Sequence, residues 1–245
     1  KGVAQDGYHH LNVFEHSLEA VAQLEEVLAA PERFFGGLAA DIRRQAAQPG
    51  RPAVLKVAAL FHDIGKPQVQ ERRVRPARYT FYHHERVGVE IFQRAARRLR
   101  FSQAQIKTVT RLITWHMRPF LLLPLFKQGE LTRRALGRLV KDAGPELAGG
   151  FALAMADSLA GQGPQKPADA DARLADLADT AWSFYEEQLA AQRDQPRLLT
   201  GHDLKALGLT AGPEFRRLLE AVEEAQWEGQ VKTREEALAL VRRMI

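Results

Sequence analysis

Six residues of the 245-residue sequence have the types and order of a metal-ligand set: His16, the adjacent pair His62-Asp63, His84, His116 and Asp157. Imidazole nitrogens and carboxylate oxygens without a thiolate suit a divalent transition metal such as Mn, Fe, Co, Ni or Zn, with Mg also possible. The sequence has no cysteine, which excludes disulfide partners, thiolate zinc sites and cysteine nucleophiles. Neighbouring helical side chains point about 100° apart. His62 and Asp63 can therefore serve one ion, or Asp63 can bridge two. Donors so far apart in the chain meet only where several helices converge.

The sequence predicts such helices. Alanine, leucine, glutamate and arginine dominate and β-branched residues are sparse, so the expected fold class is all-α with almost no sheet. Asn12 with Glu15 reads as a capping box opening a helix to about Ala29, with Val13, Leu18, Val21 and Leu24 on its apolar side. A polar stretch containing Pro49, Gly50 and Pro52 leads into "PAVLKVAALFHDIGK". Proline at its start and Gly65 after its end place His62 and Asp63 in the final turn of a buried helix. Residues Pro67 to Tyr82 break the pattern, and the alternation in Tyr79-Thr80-Phe81-Tyr82 predicts a short strand or hairpin arm beside a basic loop.

A helix from about His84 to Arg100 follows. Ser102 with Gln105 opens another, ending near Met117 because Arg118 precedes Pro119. Helices are expected over Thr132 to Ala143, Pro145 to Leu159 and Asp171 to Gln192, the last after the Gly- and Pro-punctuated stretch from Ala160. Gln195-Pro196 is the expected boundary, giving a domain over 1–192 and a tail of three short helices over 196–245. His202 reads as a helix-start residue of that tail.

The formal charge of +5 is uneven. Between Glu71 and Arg118 twelve basic residues face three acidic ones, leaving +9 there and −4 elsewhere. An anionic partner, RNA or a phosphorylated nucleotide, fits this asymmetry. An arginine-coated soluble surface gives the same count, and Arg94, Arg97, Arg98 and Arg100 lie on at least two helix faces. No apolar run approaches the roughly 20 residues that cross a bilayer, and no signal peptide is visible, so a soluble, cytoplasmic protein is expected. The sequence begins at Lys1 without an initiator methionine, the mark of a fragment, a processed form or a missing start.

"FEHSL", "FHDIGKP", "HHERVG", "WHMRP" and "MADSL", in that order, resemble the HD superfamily of metal-dependent phosphohydrolases. The opening "QDGYHHLNVFEHSL" and the tail "GPEFRRLLEAVEEAQWEGQVKTREEAL" are similar, more narrowly, to the C-terminal half of bacterial tRNA nucleotidyltransferase and poly(A) polymerase family proteins. The resemblance implies an HD-domain helical bundle with a small helical tail. It implies His16, His62, Asp63 and Asp157 as the core ligands of one or two ions, with His84 and His116 matching the histidines that hold a second metal. His62, Asp63 and Lys66 become the catalytic residues, Lys66 meeting a substrate phosphate.

The implied activity is hydrolysis of a phosphomono- or diester, of a nucleotide, cyclic nucleotide or RNA end, by a metal-activated water. The alternative is a non-catalytic RNA-binding body whose nucleotidyltransferase head is absent, since no Gly-Ser signature with paired aspartates matches here. Asp169 and Asp171 stand instead in a Pro- and Ala-rich context. A di-iron site doing oxidative chemistry would use the same donor types.

Each residue also has a plainer reading. His16 or His116 alone reads as a capping or buried histidine, and His84 and His116 can bind phosphate or support the ligands of a one-metal site. Lys66 can satisfy helix C-terminal carbonyls. His83 competes with His84, which is preferred because it precedes Glu85 and stands four residues before Gly88. His9 and His10 can stand near the mouth of the site but are expected to be structural, and Trp115 and Phe120 to pack the core.

Overall fold

The computed structural model describes residues 2–74, 77–194 and 198–245, with the side chains of 74, 77, 78 and 191–194 left aside. The expected boundary at Gln195-Pro196 lies outside the described residues, as does Arg75 of the basic loop. Among the described residues are α1 (Val13–Ala29), α2 (Ala39–Ala46), α3 (Arg51–Phe61), α4 (Lys66–Val69), α5 (His84–Arg98), α6 (Gln103–Trp115) and α7 (Arg118–Lys127). They are followed by α8 (Arg133–Ala143), α9 (Leu147–Ala160), α10 (Ala170–Asp194), α11 (Gly201–Ala206), α12 (Pro213–Trp227) and α13 (Arg234–Met244). The sheet among these residues is a single hairpin, β1 (Glu71–Val74) antiparallel to β2 (Ala77–Thr80), with Glu71 opposite Thr80 and Arg72 opposite Tyr79. The protein is all-α apart from that ribbon.

The chain divides into two compact units, residues 1–130 with 142–182, and residues 131–141 with 183–245. In the first, α9 is the central helix. It is buried over Leu147 to Asp157, apolar all round, as a helix enclosed on every side must be. Its small residues let neighbours close in, and a side chain at Gly150 would collide with the Trp115 ring, 2.7 Å from Cζ3. Helices α1, α3, α2 and α6 pack on α9, and α5 packs on α6. In the second unit α11, α12 and α13 enclose Leu204, Leu218, Val222, Ala237 and Val241. Arg134, Arg138 and Lys141 of α8 pair with Glu228, Glu224 and Glu223 of α12, and Trp227 fills the space beside Gly137. Among the described residues no helix is long and apolar enough to cross a membrane.

Local signals hold where a hydrogen bond fixes them. Asn12 accepts from the Phe14 and Glu15 amides to open α1, and Ser102 with Gln105 forms the reciprocal capping box of α6. The tail splits into its three expected helices. Three expectations need correction. The buried stripe of α1 is Val13, His16, Ser17, Ala20, Leu24 and Val27, while Leu18 is 48 % exposed, because the face is set by contact with α9 and α3. The polar stretch before α3 contains α2. The expected end of α6 near Met117 holds, at Trp115 with His116 as its cap, and the Arg118-Pro119 step starts α7 at once, since proline in a first helical turn loses no needed hydrogen bond. Helix α3 stops at Phe61 with His62 as its cap. There the Ile64 and Lys66 amides bond back three residues, to the Phe61 and Asp63 carbonyls, which tightens the chain so that Asp63 lies in a turn.

Candidate metal centre

Helix ends bring the six donors together. His16 lies in the first turns of α1, His62 caps α3, Asp63 follows in the turn, His84 opens α5, His116 caps α6 and Asp157 sits on α9. All six are buried, with His16, His62 and His116 at 0 % exposure.

Asp63 is the hub, and its two oxygens face two different groups. On one side Oδ2 lies 3.3 Å from His62 Nε2, 3.6 Å from His16 Nε2 and 2.6 Å from Lys66 Nζ. On the other, Oδ1 lies 3.2 Å from His84 Nε2 and 3.7 Å from His116 Nε2. Asp157 Oδ1 completes the first side, 2.9 Å from His16 Nε2 and 3.5 Å from His62 Nε2. The donors thus form two sets able to hold a metal ion, His16-His62-Asp63 and Asp63-His84-His116.

The tautomers are fixed by the backbone. Nδ1 of His62, His84 and His116 contacts the carbonyl three residues earlier, Ala59, Phe81 and Ile113, at 2.7, 2.8 and 2.6 Å. A carbonyl only accepts, so each Nδ1 carries a proton and each Nε2 is the nitrogen turned inward, the orientation of a metal-ligating imidazole. His84 and His116 then face each other Nε2 to Nε2 at 3.1 Å. Two lone pairs at that distance repel unless a proton or a metal ion lies between them. His62 Nε2 is buried with no aligned hydrogen-bond partner, which a buried polar atom otherwise avoids. The donor set fits a divalent cation.

Charge in the metal-free cluster is balanced by protons. Burial alone would push the His62 imidazolium down, but the Asp63 and Asp157 carboxylates outweigh it and raise the pKa to about 10. Burial likewise opposes ionised Asp63 and Asp157. His62, with Lys66 for Asp63 and His16 for Asp157, nevertheless holds both well below the usual carboxylate range. At His116 burial leads and the pKa falls, in keeping with a neutral donor.

A raised His62 pKa contributes stability present below its ordinary 6.5 and lost as pH climbs through about 10. The depressed Asp63 and Asp157 contribute stability present above their ordinary 3.8 and lost as pH falls below it. Chelator-treated protein should therefore show a melting temperature that declines from pH 6.5 toward 10. Metal affinity should rise over the same range because the ion displaces the His62 proton. A melting temperature flat across that interval would contradict this charge arrangement.

Lys66 does not cap helix carbonyls. Its ammonium meets Asp63, donates to Gln5 Oε1 at 2.7 Å and stands over the Phe81 ring. Gly65 has ordinary helical angles, φ −80° and ψ −19°, so its role is not conformational freedom. A Cβ there would lie 2.1 Å from the His84 carbonyl oxygen and 2.7 Å from the Gly88 amide nitrogen. Its missing side chain lets the Asp63 turn touch the start of α5. Trp115 is buried, Phe120 is half-buried, and His202 lies in α11, exposed.

One further participant is a residue that, in the sequence, can stand near the mouth of the site but reads as structural. His9, held through Nδ1 by Asp6 Oδ1 at 2.8 Å, sets its ring edge-on to His16, centroids 4.6 Å apart. It forms a third donor group with His16 and Asp157. It precedes the first helix, so no periodicity could place it.

An all-α bundle whose helix ends converge on buried imidazoles and carboxylates defines a helical domain with donor groups able to hold a metal ion. The family model of the HD domain matches residues 13–180. The chain belongs to the HD domain family, a hydrolase superfamily whose domains bind divalent metals. It is also 32 % identical to the A-adding tRNA nucleotidyltransferase of Deinococcus radiodurans, over 99 % of this chain and 49 % of that protein. It is 34 % identical to the CC-adding tRNA nucleotidyltransferase of Thermus thermophilus, over 98 % of this chain and 46 % of that protein. A shorter similarity, 29 % identity over 46 % of the chain and 11 % of the relative, links it to a bifunctional uridylyltransferase/uridylyl-removing enzyme of Novosphingobium aromaticivorans. The chain spans about half the length of the two nucleotidyltransferases.

Proposed function

We propose that this centre hydrolyses a phosphomono- or diester of a nucleotide, cyclic nucleotide or RNA end, with one or two divalent ions held by His16, His62, Asp63, Asp157, His84 and His116. The observation that carries the reading is the Asp63 hub, one buried carboxylate with each oxygen turned to a separate set of inward Nε2 atoms. Bound divalent ions would supply polarisation of a phosphoryl oxygen and a lowered pKa for a water molecule. The protein's own residues do the rest. Backbone carbonyls lock three imidazoles in their donor tautomers, and the enclosing helices keep bulk water from the cluster. An ammonium has three N–H donors; Lys66 directs two toward Asp63 and Gln5, which leaves one for a substrate oxygen. The HD domain is assigned to residues 1–192, the helical tail to 196–245, and the location to the cytoplasm.

Purified chain should retain metal and, with Mn, Co, Ni or Mg, hydrolyse 2′,3′-cyclic nucleotides, nucleoside monophosphates or model phosphodiesters. If the chain retains no metal and no added metal gives hydrolysis sensitive to Asp63→Ala, the proposal fails.

A second reading, an RNA-binding body without catalysis, draws support from similarity over nearly the whole chain to two proteins named for adding nucleotides to tRNA. Arg72, Arg73, Arg86, Arg94, Arg97, Arg98, Arg100 and Lys107 are exposed. Binding through them must weaken steeply with salt, the logarithm of affinity falling by about 0.7 to 0.9 per decade of salt for each phosphate neutralised. tRNA affinity that is flat with salt would exclude this basic surface.

A further inference from the structure

The turn between the hairpin and α5 does more than deliver His84. Phe81 and His84 point inward: Phe81 is 9 % exposed beneath Lys66, and His84 is 5 % exposed in the centre. His84 ties both its amide, at 3.3 Å, and its Nδ1, at 2.8 Å, to the Phe81 carbonyl. The two residues between them are forced outward. Tyr82 is 57 % exposed, and His83 takes left-handed angles, φ 63° and ψ 19°, a conformation costly for a residue with a Cβ. Tyr82 is thus presented by a turn with both ends anchored at the metal centre, where a side chain in a slack loop would fold down onto the surface.

Its ring is also prepared for a ligand. The Arg73 guanidinium of β1 stands 5.5 Å from the ring centroid, within cation–π range, and Arg72 of the same strand and Arg86 of α5 are exposed. An open aromatic face backed by arginine, in a basic setting, matches the platforms on which nucleobases stack. Tyr82 is two residues from His84, so their Cα atoms are at most about 7 Å apart. The ring is thus carried by the same short backbone segment that delivers a donor to the centre.

We propose that Tyr82, backed by Arg73, is the base-stacking residue of this site, so that its substrates are nucleotides or RNA ends rather than phosphate esters without a base. The assignment rests on the hydrolytic reading above, which supplies the phosphate end of the ligand. Stacking tolerates any base because each has a π-face, so selection acts on the presence of a base and little on its identity.

The test compares adenosine 5′-monophosphate with ribose 5-phosphate on the full chain, by calorimetric binding and by phosphate release, in wild type, Tyr82→Ala and Tyr82→Trp. Wild type should bind the nucleotide at least about ten-fold more tightly than the sugar phosphate, in line with the strength of base–aromatic stacking. Tyr82→Ala should remove that difference without altering ribose 5-phosphate binding, and Tyr82→Trp should preserve it. An adenylate trimer run alongside separates the sources. Tighter, Tyr82-dependent trimer binding points to RNA ends, whereas equal binding points to free nucleotides. Equal affinity for both small ligands in wild type, an equal loss for both in Tyr82→Ala, or no binding of either overturns the inference. Base-dependent binding without phosphate release leaves the stacking subsite standing and overturns only the hydrolytic reading. Because Tyr82 is exposed, Tyr82→Ala should melt with wild type, which separates a lost subsite from a lost fold.

Discussion

Asp63→Asn is expected to empty the centre. The substitution keeps the shape and removes the charge that both donor sets share, with Asp63 oxygens 3.2 Å from His84 Nε2 and 3.3 Å from His62 Nε2. Residues that merely support metal ligands change affinity about 10- to 100-fold, so the shared carboxylate should cost at least about 100-fold. The metal-free fold should suffer as well. Lys66 and protonated His62 would lose their partner inside the protein, and breaking a buried pair by removing one member costs about 3–5 kcal/mol. Calorimetric metal titration with a thermal melt of the chelated protein measures both effects. An Asp63→Asn variant that binds metal as wild type does, with an unchanged melt, would remove Asp63 from the centre.

Gly65→Ala should be nearly as damaging, and for a separate reason. Alanine accepts the backbone angles at this position, so the whole effect is steric, a methyl group 2.1 Å from the His84 carbonyl. Both contacting atoms are backbone and cannot rotate away. The start of α5 must move, and His84 moves with it. Overpacking of this kind costs about 1–3 kcal/mol or more. Binding should fail first at the His84-His116 set, seen as fewer bound ions or weaker affinity, while His16 and His62 keep their places. Gly50 is the contrast. Its φ is +76° and the space where a Cβ would stand is open, so Gly50→Ala should cost only the strain of a left-handed alanine, about 1 kcal/mol, and leave metal binding intact. Equal metal binding in Gly65→Ala and Gly50→Ala would show that the contact with α5 does not position His84.

Much of the fold is legible in the sequence because its signals are local. Asn12, Ser102 and Thr233 each bond to amides two or three residues away, and such bonds are written in adjacent letters of the sequence. Prolines are harder. Pro119 both follows the stop of α6 and stands in the first turn of α7, and only the stop is legible in the sequence. The α1 stripe differs at Leu18, since an apolar residue near the edge of a face is buried or exposed according to where the next helix lies.

The same division runs through the centre. The order His16, His62-Asp63, His84, His116, Asp157 and the lack of cysteine determined which donor atoms were on offer and the class of metal they suit. The sequence also determined that His84 and His116 stand at helix ends, where Nδ1 can bond back to a carbonyl in the same chain segment. Tertiary structure decided the rest: which Asp63 oxygen faces which imidazoles, that His9 joins His16, that Lys66 lies on Asp63, and that Gly65 is small because α5 touches it. The physical reason is range. Propensities and capping bonds act within one turn of chain, whereas the approach of His16 to Asp157 at 2.9 Å across 141 residues of sequence is fixed by the summed packing of α1 and α3 against α9.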